Sequence, residues 1–182
     1  MGPSQRFRGW SAAIVLAALV NVAASARPEG PADLLRLRVR QGDGTPQPLE
    51  TALGGAPALV TFWAGYCPPC RAEVPVLRRA VRRFGPRGLR VLGVGLGFAD
   101  GAHMARAAAE WGIDYETYWL PADEKDAAVR LLPDGLPTTF LVGPRGVTRY
   151  DRLLRDEELE RLVSPLLGRP NSSPSGASDG TP

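Results

Sequence analysis

The sequence predicts an α/β protein whose mostly parallel sheet carries helices on both faces. Three observations point there. Strand-like apolar runs alternate with segments of helical periodicity along most of the chain. Ala58 to Trp63 is a continuous apolar run broken only by Thr61, as expected of a central strand covered on both sides. That run leads through Ala64-Gly65-Tyr66 into Cys67-Pro68-Pro69-Cys70, which opens a helical pattern.

The elements follow in order. Arg6 and Arg8 precede a mostly small and apolar stretch from Trp10 to Ala24, and Ala24-Ser25-Ala26 fits a small-x-small cleavage pattern. Residues 1–26 are therefore read as a secretory signal peptide, or as an uncleaved N-terminal membrane anchor. The apolar run is shorter than the roughly 20 residues of an ordinary membrane span, which favours the signal. Residues 32–168 are long enough for a single core. In residues 34–40, Leu35, Leu37 and Val39 alternate with arginines, the pattern of a half-buried strand. Gly42-Asp43-Gly44 is a turn, and Pro48 to Thr51 reads as another short strand.

After Cys67 a helix is expected to about Phe84, with Val74, Leu77, Val81 and Phe84 on one face and Pro75 kinking it. Arg78, Arg79, Arg82 and Arg83 fall elsewhere on it, as a solvated face or as a patch for an acidic partner. Leu89 to Gly97 is a strand. Asp100 caps a helix to about Trp111 that Gly112 stops, with His103 at its surface. A strand at Tyr115 to Leu120 and a short helix at Asp123 to Leu132 follow. Pro137 opens the β run Thr138 to Val142, and a cis bond is expected between Leu136 and Pro137. Gly143-Pro144-Arg145-Gly146 turns the chain into Val147 to Tyr150. Leu159, Leu162, Val163, Leu166 and Leu167 then form an amphipathic helix with acidic residues at its start, a bend at Pro165 and a stop at Gly168. Residues 169–182 are Pro-, Ser- and Gly-rich and are expected to be disordered.

The chemistry concentrates at the only two cysteines. C-x-x-C at a strand-to-helix junction is the pattern of a redox dithiol, because one helical turn brings the two Cβ atoms within disulfide reach. Cys67 then sits near the helix N-terminus, where unpaired amides and the dipole favour a thiolate. Structural zinc needs four Cys or His ligands, and the chain offers two cysteines and one distant histidine, His103. A disulfide closing so short a loop adds little stability, so a purely structural bridge is disfavoured. All but one of the 22 basic residues are arginine and the net charge is +3, but no nucleic-acid motif accompanies them.

With those residues in view, the chain resembles the thioredoxin superfamily, and within it the TlpA/ResA-type extracytoplasmic thiol-disulfide oxidoreductases. The resemblance spans about residues 34–167. It rests on Thr61-Phe62-Trp63-Ala64 before Cys67-Pro68-Pro69-Cys70, on Glu73 and Pro75 after it, and on Gly135-Leu136-Pro137-Thr138-Thr139-Phe140. It implies a thioredoxin-like fold with a central mixed sheet flanked by helices and a TlpA-type strand–helix insertion before Pro137. It implies Cys67 as the exposed nucleophile and Cys70 as the buried resolving thiol. Pro137 would be the cis proline facing them, with Trp63, Leu136 and Pro137 receiving substrate. Glu73 would assist proton transfer, or be an ordinary surface glutamate. Thr61 stands where classical thioredoxins carry a buried aspartate, and Gly65 would leave the surface beside the dithiol bare.

The function expected is that of an exported thiol-disulfide oxidoreductase reducing disulfides in partner proteins, of the cytochrome c maturation or copper-site assembly class. A membrane thiol-disulfide donor would regenerate it, without cofactor, metal or nucleic acid. Membrane contact is expected only through an uncleaved N-terminal segment. Two alternatives stay open: the same dithiol as a disulfide oxidase, and a Cu(I) metallochaperone holding the metal between Cys67 and Cys70.

Overall fold

The structure is a computed structural model that describes residues 31–167. The signal or anchor segment at 1–26, the stop at Gly168 and the tail at 169–182 lie outside the described residues. Thirteen regular elements are numbered in chain order. The first is helix α1, Pro31–Arg36, where a strand is expected from the Leu/Arg alternation. Pro31 is pre-organised for a first helical position, and Asp33 and Arg36 complement the dipole at the two ends. Only Arg38–Val39 is extended (β1), pairing antiparallel with Gln47–Pro48 (β2) around a turn in which Gly42 has φ 54°. The strand expected at Pro48 to Thr51 ends at Pro48, because Leu49–Leu53 forms helix α2, which buries Leu49, Ala52 and Leu53.

The main sheet has the order β5-β4-β3-β6-β7. Ala58–Trp63 (β3), Arg90–Gly95 (β4) and Glu116–Trp119 (β5) run parallel, while Thr138–Gly143 (β6) and Gly146–Tyr150 (β7) are antiparallel. The sheet is thus mixed, as the family resemblance implies, rather than mostly parallel. All six β3 residues are buried, and alternation along the strand sends them to two cores. Val60 and Phe62 pack with Leu92, Val94 and Phe140 beneath α1, α2 and α5 (Lys125–Leu131). Leu59 packs with Val91 and Leu141 beneath α3 (Pro68–Phe84) and α6 (Asp156–Val163).

Helix α3 buries Val74, Leu77, Ala80 and Phe84 and continues through Pro75. Three of its outward arginines are paired inside the chain, at 2.8 Å from Arg78 to Asp114, 2.8 Å from Arg79 to Asp156 and 2.6 Å from Arg83 to Glu160. Helix α4 (Gly101–Glu110) starts at Asp100, whose carboxylate accepts the His103 amide at 2.7 Å. It ends before Gly112 in the left-handed region. The two strand–helix units β4–α4 and β5–α5 fill the long segment ahead of Pro137. The β6–β7 hairpin turns through Pro144 and Arg145, and beyond α6 a 3-10 turn covers Ser164–Leu166, where Pro165 cannot continue the α ladder.

The stretch at residues 40–42 is tied to the outer edge of β5. Arg40 and Trp119 exchange backbone hydrogen bonds at 2.9 and 2.8 Å, and the Trp119 indole N–H donates to the Gly42 carbonyl at 2.8 Å. Gly42 also touches Gly101 at the start of α4, where a Cβ would lie 2.4 Å from the Gly42 oxygen. No helix among the described residues is long and apolar enough to cross a membrane.

Candidate active site

The site forms where β3 ends and α3 begins. Beyond Trp63 the chain turns, with the Cys67 amide donating to the Ala64 carbonyl at 3.0 Å. The Leu96 amide donates to the Trp63 carbonyl at 2.8 Å, which carries the β3–β4 ladder to the edge of the site. Cys67 is the N-cap of α3, in extended conformation, and Pro68 and Pro69 fill the first two helical positions. Prolines suit those positions because their missing amides would find no helical acceptor there. Cys67 and Cys70 are joined by a disulfide with a Cα–Cα distance of 5.3 Å. The Cys70 amide donates to Cys67 Sγ at 3.2 Å, whereas the Arg71 amide donates to the Cys67 carbonyl, also at 3.2 Å.

Cys67 is 6% exposed, hardly more than Cys70 at 4%, so the expectation of an exposed first cysteine is corrected. The reason is packing from the strand–helix segment beyond β4. Met104 and Ala108 of α4 join Trp63, Ala64 and both cysteines in one apolar cluster, with Leu96, Phe98 and Leu136 against it. Tyr66, next to Cys67, is by contrast 78% exposed. Gly65 is itself exposed, as expected, with the Phe98 ring 3.6 Å from where a Cβ would stand. Trp63, expected to receive substrate, is buried behind the dithiol between Phe98 and Trp111, at ring distances of 5.0 and 5.2 Å. Its indole N–H has no hydrogen-bond partner among the described residues.

The Leu136–Pro137 bond is cis and Pro137 is buried. Thr138 pairs with Phe62, so Pro137 stands one step before β6, level with Trp63 and at the sheet end that carries Cys67. The loop before it is held by the Thr138 hydroxyl, which donates to the Gly135 carbonyl at 2.7 Å. Leu136 is half-buried against the cluster that holds both cysteines.

Glu73 is buried and not a surface glutamate. Its carboxylate accepts the Thr61 hydroxyl at 3.3 Å and the Leu154 amide at 3.2 Å. Burial raises its pKa above the ordinary carboxylate value, and the hydrogen bonds from Leu154 and Thr61 offset this only in part. A buried acid thus sits directly above Thr61, reaching from the helix to a strand position that has none. Thr139, the register partner of Thr61, is buried beside it on the same face. No partner of Glu73 is near it in sequence, and this is why periodicity alone leaves its burial undecided.

Sequence reasoning missed a groove that begins at Tyr66 and Leu136. It has a volume of about 530 Å³ and lies between the loop after β4 and helix α5. Its walls come from four separate stretches of chain, and no local pattern announces it.

Comparison with known proteins agrees with this geometry. Residues 32–151 match the AhpC/TSA family. The thiol:disulfide interchange protein DsbE of Pseudomonas aeruginosa is 30% identical over 132 residues, covering 68% of each chain. The thiol-disulfide oxidoreductase ResA of Oceanobacillus iheyensis is 28% identical over 96 residues, 52% of this chain and 47% of that one. This chain therefore aligns with just under half of that relative. Among solved structures, the thioredoxin domain of a thiol-disulfide oxidoreductase from Bacteroides vulgatus superposes with a TM-score of 0.60 at 25% identity, over 72% of this chain and 92% of that one. A secreted Mycobacterium tuberculosis disulfide oxidoreductase described as homologous to DsbE does so with a TM-score of 0.56 at 21% identity, over 71% and 95%. The last likeness is one of fold.

Proposed function

This chain belongs to the AhpC/TSA family of the thioredoxin superfamily and is a thiol-disulfide oxidoreductase of DsbE/ResA type; on that premise we propose that Cys67 attacks, Cys70 resolves, and the protein works as an exported reductant of protein disulfides. The observation that carries this is Cys67 as N-cap of α3, one helical turn from Cys70 and bonded to it. The Cys67 thiolate attacks one sulfur of a substrate disulfide. A mixed disulfide forms, the substrate bond breaks, and the departing substrate thiolate takes up a proton. Cys70 gives up its proton and attacks Cys67 Sγ, so the Cys67–Cys70 bond forms and the second substrate thiolate leaves. The substrate gains two electrons and two protons. The dithiol is restored by the same exchange with a membrane thiol-disulfide donor.

Glu73 lies one turn beyond Cys70 on the same helix, and a buried carboxyl with a raised pKa suits it to take the Cys70 proton. The cis Leu136–Pro137 segment offers its backbone to the substrate strand. The reductive direction is supported by the donor set on Cys67. Only the Cys70 amide reaches its sulfur from the helix, Pro68 and Pro69 having none to give. A thiolate with so little stabilisation makes a reducing couple. The substrate class is that of cytochrome c maturation or copper-site assembly, and the N-terminal segment directs export or anchors the protein outside the cytoplasm.

Two measurements test this. Cys67→Ser abolishes disulfide reduction, whereas Cys70→Ser accumulates a mixed disulfide visible by mass spectrometry. Multi-turnover activity in Cys70→Ser would overturn the mechanism. Equilibration of the dithiol with a thiol buffer gives a potential nearer the thioredoxin value of about −270 mV than the about −120 mV of a strong oxidant. A value near the latter would reverse the direction.

A further inference from the structure

Among the described residues four polar side chains are buried: Thr61, Glu73, Thr138 and Thr139. Thr138 holds the loop before the cis proline, through the Gly135 carbonyl and the Asp151 carboxylate. The other three meet at one place beneath α3. Thr61 is the only polar residue of β3. A polar group in a strand covered on both faces costs free energy unless it is hydrogen-bonded, and the Thr61 hydroxyl is bonded to Glu73 Oε2 at 3.3 Å. Across the ladder the Thr139 hydroxyl is buried without a hydrogen bond, yet it lies near enough to favour the ionised form of Glu73. On the other side Thr61 pairs with Gly93, which brings no side chain. The Tyr115 ring and the Trp63 indole nitrogen stand 3.2 and 3.1 Å from where a Gly93 Cβ would be. Burial, and then the charge of Glu73, push the Tyr115 pKa up, so this phenol stays neutral. The charged groups of the neighbouring elements have partners elsewhere: Asp151 with Arg149, Arg152 with Glu158, Arg78 with Asp114 and Arg79 with Asp156.

The two hydrogen-bond partners of the carboxylate differ in kind. The Leu154 amide, on Oε1 at 3.2 Å, can only donate. A protonated oxygen is the poorer acceptor, so this amide keeps Oε1 unprotonated. The Thr61 hydroxyl, on Oε2, donates or accepts by turning its O–H. We infer that Thr61 is the positioning residue of the proton transfer: its hydroxyl marks Oε2 as the oxygen that bears the proton, donating to it while Glu73 is ionised and accepting from it once Glu73 is protonated. This rests on the reading of Glu73 as the group that takes the Cys70 proton. In that step the Cys70 S–H bond breaks, its electron pair stays on sulfur, and the proton comes to rest on Oε2 as the Thr61 O–H turns away. A carboxylate at position 61 could not do this beside Glu73, because two acids so close resist ionising together.

The test mixes reduced full-length protein with dithiobis(nitrobenzoate), a chromogenic aryl disulfide, in stopped flow over a series of pH values. The phase whose rate does not depend on reagent concentration is displacement by Cys70, and Cys70→Ser lacks it. Thr61→Val keeps the shape of the side chain and removes the hydroxyl. A hydrogen bond to a charged group corresponds to about tenfold or more in an equilibrium, and part of it is shared by the neutral acid, so the pH at which this phase is half-maximal rises by about one pH unit while the plateau is kept. Thr61→Ala gives the same displacement, Thr61→Ser restores the wild-type midpoint, and Thr61→Val adds nothing to a protein that already carries Glu73→Gln. An unmoved midpoint in both Thr61→Val and Thr61→Ala overturns the inference, and so does a lowered plateau with no displacement, which marks a structural role. Glu73→Gln separates the two readings. If it removes the inflection while the Thr61 variants leave it in place, the inference falls and the role of Glu73 stands; if it leaves the profile as in wild type, both fall.

Discussion

Glu73 gives the sharpest test of the buried polar site. Two substitutions separate its charge from its hydrogen bonds. Glu73→Ala removes the acceptor of the Leu154 amide, in a residue only 1% exposed, and leaves the Thr61 hydroxyl without its partner. A buried donor left unpaired costs about 1–3 kcal/mol, and truncating a buried side chain adds to this, so Glu73→Ala is expected to lose about 2–4 kcal/mol. Glu73→Gln keeps a carbonyl oxygen for the Leu154 amide and removes the charge. The sign with pH follows from linkage. The folded pKa of Glu73 is raised by burial, so its contribution is full below the unfolded carboxyl value and is lost as pH rises through the folded value. Glu73→Gln is therefore expected to be more stable than wild type at pH 7, with the advantage shrinking towards acid pH. The assay is urea unfolding of the oxidised protein at several pH values. With a slope of about 1–3 kcal/mol per molar urea, the alanine variant unfolds about 0.7–4 M earlier. Comparison against wild type at each pH cancels the other carboxylates. A glutamine variant as unstable as alanine at pH 7, or one whose difference from wild type is flat with pH, would refute the reasoning.

Two further outcomes are expected. Gly101→Ala costs about 1–3 kcal/mol in urea unfolding, because its Cβ meets the Gly42 backbone, which cannot turn aside; a neutral effect would show that the turn is not held there. Asp156→Asn, which breaks the exposed pair with Arg79, costs at most about 1 kcal/mol in dilute salt and less in 1 M salt. The Arg79 guanidinium lowers the Asp156 pKa, so that small contribution is present above the unfolded carboxyl value and fades as pH falls through the folded one, as pH-dependent unfolding of the pair of proteins would report.

What was legible in the sequence was whatever is decided locally. The apolar run of β3, the C-x-x-C after it, the Asp100 cap and the proline before β6 each carry their reason within a few residues, and the structure places each element there. The stretch at 34–40 misled because Leu/Arg alternation satisfies a period of two, while Leu34 and Leu37, both buried and three apart, equally suit a helical turn. Pro31 and Asp33 were the signals that favoured the helix. Distant partners were illegible. The arginines of α3 meet acids 36 and 77 residues away, so what could be a docking patch is largely held within the chain. Glu73 meets Leu154 across 81 residues, and the cover over Cys67 comes from α4. Pattern gives a side chain's neighbours along its element; only topology gives the neighbours across it.

The tie between Arg40 and Trp119 also bears on how this sheet meets other sheets. A strand edge with free amides and carbonyls is a template for another chain, and unlimited stacking needs two such edges on every molecule. Here the outer side of β5 is taken at Trp119 by the molecule's own residues 40–42, while among the described residues the outer side of β7 carries no further strand. Sheet-to-sheet pairing along β7 would join two molecules by a twofold axis, and each would then present a β5 edge obstructed at Trp119. Two backbone hydrogen bonds near the start of the domain thus occupy that end of the edge, and removing residues 40–42 would free it without touching the dithiol.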